Sequence, residues 1–156
     1  MKFKTQFDYR WNEPLGLPEA PYMHRYMLML FGFSIRLHIW HRSDDKRYMH
    51  DHAIDFLTIV LKGSYTDVSY DPVIAEIMPE YNETRDPMCR WAVRYRKAEH
   101  LHYVGNPEDP TVTLLFCGRK RRNWGFLVKN DKHPNGKWMR PLRFFSRYGH
   151  PGKEEK

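Results

Sequence analysis

Cysteine is scarce in this chain. Its 156 residues include two, Cys89 and Cys117, and they do not form a C-x-x-C pair. A disulfide framework is therefore excluded as the basis of stability, and a reducing, cytoplasmic setting is the expectation. Long apolar runs are also missing: the best candidate, Tyr26 to Phe33, is far too short to span a bilayer. The opening Met1-Lys2-Phe3-Lys4-Thr5-Gln6-Phe7-Asp8 lacks the apolar centre of a secretory signal. There is no internal repeat and no low-complexity segment, which excludes solenoids and compositionally biased tails.

What is present is enough to fold. Hydrophobic residues make up 41% and aromatics 15%, consistent with one domain large enough to bury a sizeable core. The formal charge is +7, and its excess follows Gly118, in a run that includes Arg119, Lys120, Arg121, Arg122, Arg140 and Arg143. A basic surface favours an anionic partner: a nucleotide, a phosphorylated metabolite or, less favoured, nucleic acid. The alternative is ordinary solubilising charge.

The chain is organised around Met49 to Gly63. His50 and His52 are separated by one residue and run into the apolar, β-branched Leu57-Thr58-Ile59-Val60-Leu61. In a strand, alternate side chains share a face, so both imidazoles can aim at one point, as a two-histidine metal site requires. Lys62-Gly63 reads as the closing turn. A third nitrogen can come from His100 or His102, which repeat the H-x-H spacing after the strand-like Trp91 to Arg96. Asp51, between the first two histidines, points away from their target and reads as a loop hydrogen-bonding group. Strict alternation places Asp55 on the opposite face, so ligation by Asp55 needs a bulge; otherwise it can fix a histidine tautomer from behind. A His-Asp dyad of the helical phosphohydrolase kind is disfavoured because the flanks read as strands.

This stretch resembles the first motif of the cupin superfamily, G-x5-H-x-H-x3–4-E-x6-G. His50, His52 and Gly63 fall on its histidines and closing glycine; Asp44 replaces the opening glycine and Phe56 the glutamate. The second motif, G-x5-P-x-G-x2-H-x3-N, is echoed by His102 and Asn106, with Lys97 and Glu99 in place of its P-x-G. The resemblance covers about residues 33–126. The chain is also similar to small cupin-like proteins of bacteria and phages carrying H-D-H-x-x-D-F and a later G-x-[RK]-R-R-x-W-G-F, matched by His50 to Phe56 and Gly118 to Phe126. The resemblance implies a metal held by His50, His52 and His102, with Asp55 or His100 as additional or supporting groups. Three imidazoles with open positions favour Fe(II), and Zn, Ni, Cu or Mn are chemically reasonable. It also implies a homodimer, since many cupins pair through their sheets.

The rest of the chain agrees on independent grounds. Short β-patterned segments with turn signals between them, and little helix, indicate an all-β barrel or double sheet of six or seven strands. In Phe33 to Trp40, Ile35, Leu37 and Ile39 share one face and Ser34, Arg36, His38 and Trp40 the other. Arg36 and His38 are pocket residues if the polar face lines the interior, and solvent-exposed if not. Residues 1–22, broken by Pro14 and Pro18, read as an irregular arm on a core of about 23–128. Tyr22 to Leu30 is a short helix or a strand. Asp71 to Cys89 reads as a loop or irregular ribbons over the pocket, and 129–156 as an irregular basic extension with a disordered end. Both cysteines read as core residues.

The expected fold is a single-domain cupin-like jelly roll. The expected function is a metal-dependent enzyme of Fe(II) oxygenase or hydroxylase type acting on a small anionic, nucleotide-like substrate. Its candidate anion contacts are Arg36, His38, Tyr65, Arg94, Arg96, Arg119, Arg121, Arg122 and Trp124. Asp55, His100 and Tyr65 are the candidate general bases, with no assignment among them. A cupin that binds a phosphorylated small molecule without turnover, and nucleic-acid binding through the basic C-terminal half, are the alternatives.

Overall fold

A computed structural model describes residues 7–44, 48–71, 77, 83–130 and 132–149. The strands, in chain order, are β1 (Phe7–Leu17), β2 (Ala20–Leu30), β3 (Phe33–Trp40), β4 (Met49–His50), β5 (Phe56–Lys62) and β6 (Tyr65–Tyr70). They continue as β7 (Glu83–Met88), β8 (Val93–Arg96), β9 (Leu101–Gly105), β10 (Thr111–Cys117), β11 (Phe126–Asn130) and β12 (His133–Met139), followed by helix α1 (Pro141–Tyr148). They form two six-stranded antiparallel sheets, ordered β1-β2-β3-β10-β5-β8 and β12-β11-β4-β9-β6-β7. Non-consecutive strands lie side by side in both sheets, as a jelly roll requires.

The apolar core between the sheets includes Met23, Trp40, Val60, Tyr65, Met88 and Val104. A second cluster joins Phe126, Val128 and Met139 to Phe144 of α1. The Phe126 and Phe144 rings stack with centroids 3.9 Å apart. Pro141 stands in the first turn of α1, where its missing N–H costs nothing, and Gly149 (φ 74°) closes the C-terminus.

Several expectations are corrected here. The N-terminal segment is not an irregular arm: from Phe7 it forms a hairpin of two eleven-residue strands. Pro14 is tolerated because β1 is an edge strand, and Pro18 lies in the turn that joins β1 to β2. Tyr22 to Leu30 is therefore strand, not helix. The basic extension is ordered through β12 and α1. Residues 83–88 of the expected pocket cover instead form an edge strand paired with β6, and most of the remainder lies outside the described residues. Cys89 is exposed, whereas Cys117 is buried, and both are free.

The facing of β3, open in the sequence, is decided by the packing. Along this strand the buried positions are Ser34, His38 and Trp40, whereas Phe33 and Ile35 are exposed. Thr58 on β5 and Thr111 and Thr113 on β10 are likewise buried. The inward face of the first sheet thus mixes these polar side chains with the apolar Trp40, Phe56, Val60 and Leu115, and the outward positions of β3 and β10 are apolar.

Candidate metal centre

Strand pairing brings the three histidines together. His50 closes the two-residue β4, where it lies opposite His102 of β9 on one side and Phe126 of β11 on the other. His52 lies just beyond the strand, its backbone N–H donating to the Ala98 carbonyl at 2.8 Å. The ring centroids form a nearly equilateral triangle: 5.1 Å for His50–His52 and 5.0 Å for each ring to His102. One nitrogen of each lies within 4.8 Å of the others. Phe56 stands where the cupin pattern has its glutamate, with its ring centroid 4.6 Å from that of His52.

Asp67 supports the triangle from behind. His102 Nδ1 lies 2.5 Å from Asp67 Oδ1, and the other carboxylate oxygen accepts from Arg96 Nε at 2.9 Å and pairs with His100 Nε2 at 3.0 Å. Burial opposes ionisation of Asp67, but His102, His100 and their hydrogen bonds hold its carboxyl far below the ordinary range. A charged Asp67 makes Nδ1 the protonated nitrogen of His102, leaving the Nε2 lone pair to face His52. His50 Nδ1 faces a second carboxylate, Asp44, at 3.8 Å.

Burial, reinforced by the neighbouring His102, pushes the His50 imidazole down to about 3 and His52 well below its usual value. Both are therefore neutral near pH 7. Three imidazoles converging on one point, His50 and His52 neutral and His102 oriented by a carboxylate, fit a divalent transition metal with coordination positions to spare. A second cluster, Asp67, His100 and His102, also comes within ligating distance. There a cation would compete with the Arg96 guanidinium for Asp67.

The triangle opens onto a cavity of about 500 Å³ between the sheets, whose polar lining includes Arg36, His38, Thr58, Tyr65 and Thr113. His38 is 8% exposed, and burial pushes its imidazole down to about 3. Tyr65 lines the same space, its hydroxyl raised by burial and by Asp67.

The other expected anion contacts are engaged within the chain. Arg94 forms a two-nitrogen pair with Asp86 at 2.8 and 3.1 Å, and Arg96 bridges Asp86 and Asp67. Arg121 bonds Asp55 at 2.9 Å and Glu99 at 2.5 Å. Arg122 bonds Asp51 at 2.6 Å, and Asp51 also accepts from Gly125 N at 2.6 Å and Trp138 Nε1 at 3.0 Å. Arg119 lies over the Phe33 ring at 5.0 Å. Trp124 lines the cavity but packs beside Phe126. In the arginine-rich loop, Arg121 and Arg122 thus pair with carboxylates of their own fold. Asp55 is drawn to Arg121 and to Ala98 N, away from the histidines, and His100 lies behind the triangle, on Asp67.

Asp67 is the supporting residue that sequence reasoning missed. Tyr65, Asp67 and Ser69 alternate with Thr66, Val68 and Tyr70, so both faces of β6 mix polar and apolar groups and no periodicity marks the aspartate.

Comparisons with solved structures agree with this architecture. A single-residue variant of oxalate decarboxylase from Bacillus subtilis superposes with a TM-score of 0.50 at 12% identity, over 74% of this chain and 28% of that one. Fe(II)-HppE with the alternative substrate (S)-1-HPP gives 0.51 at 9% identity, over 72% and 56%. An oxalate decarboxylase structure concerned with substrate binding mode and reaction specificity gives 0.51 at 16%, over 72% and 29%. Both enzymes are cupin-fold proteins. This chain has the cupin fold. It spans about a quarter to about half the length of these cupin neighbours. No protein-family description matches the sequence, and no curated protein matches it. Among the described residues, no helix is long and apolar enough to cross a membrane.

Proposed function

We propose that this cupin is a metal-dependent enzyme of Fe(II) oxygenase or hydroxylase type that acts on a small anionic substrate. The observation that carries the reading is the convergence of His50, His52 and His102 at the wall of the cavity between the sheets, with Asp67 oriented on His102 Nδ1. An iron neighbour of the same fold supports the choice of metal. Bound there, the ion would supply a Lewis-acidic and redox-active centre with open positions for O2 and substrate.

The chain's own residues do the rest. The three imidazoles would hold the ion, and the neutrality of His50 and His52 near pH 7 keeps their lone pairs available. Phe56 packs against His52 and, with Phe126 and Trp124, keeps bulk water from that wall of the cavity. Positive charge facing the cavity orients an anion relative to the histidines.

The competing reading is a cupin that binds a small anion without turnover. One observation favours it: of the candidate bases, Asp55 and His100 are tied to Arg121 and Asp67, and the Tyr65 hydroxyl is shifted away from ionisation. Nucleic-acid binding has less support, because Arg121 and Arg122 face carboxylates of their own chain.

Oxygen uptake decides between enzyme and binder. Fe(II)-loaded protein is mixed with a pool of small carboxylates and phosphorylated compounds. Uptake coupled to the loss of one compound by mass spectrometry is the expected result. A retained, chemically unchanged ligand with no uptake would favour the binder.

A further inference from the structure

The cavity carries a second polar group on the first sheet. Arg36 and His38 project inward from β3, two residues apart on one face. The Arg36 guanidinium bonds Ser34 Oγ through Nε at 3.1 Å, and among the described residues no carboxylate pairs with it. The neighbouring Arg25 holds the nearby Glu13 at 2.6 Å, so that carboxylate is taken and the Arg36 charge is left without a paired anion among the described residues. His38 Nε2 is buried without a hydrogen-bond partner among the described residues. A buried polar atom without a partner and a buried cation without an anion are each costly on their own. Here they sit on one wall of one cavity, and the Arg36 charge reaches His52 on the other.

We propose that Arg36 and His38 anchor a small monocarboxylate bearing a second polar group. This inference rests on the metal-centre reading for what happens at the ligand's other end. A guanidinium fork matches a carboxylate, and one uncompensated charge balances one negative charge. A phosphate dianion or a nucleotide needs a second cation, and Arg25, Arg94, Arg96, Arg121 and Arg122 are already paired.

Calorimetry tests it, with glycolate, propionate, inorganic phosphate and adenosine monophosphate as probes and metal content determined on every sample. Glycolate is expected to bind best. Arg36→Met should weaken it at least tenfold, Arg36→Lys less, and His38→Phe about tenfold, in the range of lost hydrogen bonds to charged groups. The inference is overturned if neither carboxylate binds wild type, if phosphate or adenosine monophosphate binds more tightly, or if folded Arg36→Met binds like wild type. Arg36-dependent glycolate binding in protein that takes up no metal leaves the anchor standing and removes the metal reading. Stoichiometric metal without carboxylate binding does the opposite.

Discussion

His52 Nε2 and His102 Nε2 lie 2.8 Å apart. Asp67 takes the proton-bearing nitrogen of His102, so in the metal-free protein His52 must donate across this gap. An ion bound there would draw on both lone pairs, and the positioning of His102 by Asp67 then becomes testable.

Asp67→Asn should lower metal affinity by about 10- to 100-fold without removing a ligand. Competition against a fluorescent chelator measures this. His100→Ala, which removes another partner of the same carboxylate, should shift affinity less.

Acid sensitivity should begin well above the carboxylate range. Burial depresses His38 in the folded state to about 3, whereas in the unfolded chain it titrates near 6.5. Below pH 6.5 the unfolded state binds the proton and the folded state does not. Stability is therefore fully present above about 6.5 and falls as pH drops towards 3, by about 1.4 kcal/mol per pH unit. At pH 5 this amounts to about 2 kcal/mol. Urea midpoints at pH 7 and pH 5 should converge in His38→Phe relative to wild type.

Asp51 illustrates how much of the site could be read in the sequence. Its place between two histidines on an extended segment implied that it points away from their target, and it does, accepting from Arg122, Gly125 and Trp138. The histidine spacing and the β architecture were legible because periods of two leave a local trace, whereas His100 and His102 share one parity and only the resemblance to the second cupin motif favoured His102. The facing of β3 was not, since alternation shows that two faces differ but not which is inside. Nor could the sequence show that Arg121 and Arg122 reach Asp55 and Asp51, 66 and 71 residues away. A basic run looks the same whether its charges are paired or open.

The same residue gives a stability prediction. Asp51→Ala leaves Arg122, the Gly125 N–H and the Trp138 N–H without their acceptor and should cost about 3–5 kcal/mol. Chemical denaturation reads this directly. Arg121→Glu, at an exposed pair, should leave the calorimetric binding of glycolate unchanged, because that guanidinium does not face the cavity.

The most direct test of the metal centre is metal content, measured on wild type and on His50→Ala/His52→Ala prepared without any chelating-resin step and loaded with Fe(II) under anaerobic conditions. The arrangement of His50, His52 and His102 predicts close to one ion per chain in wild type and essentially none in the variant. Wild type that takes up no metal, or a folded variant that retains it, would contradict the account.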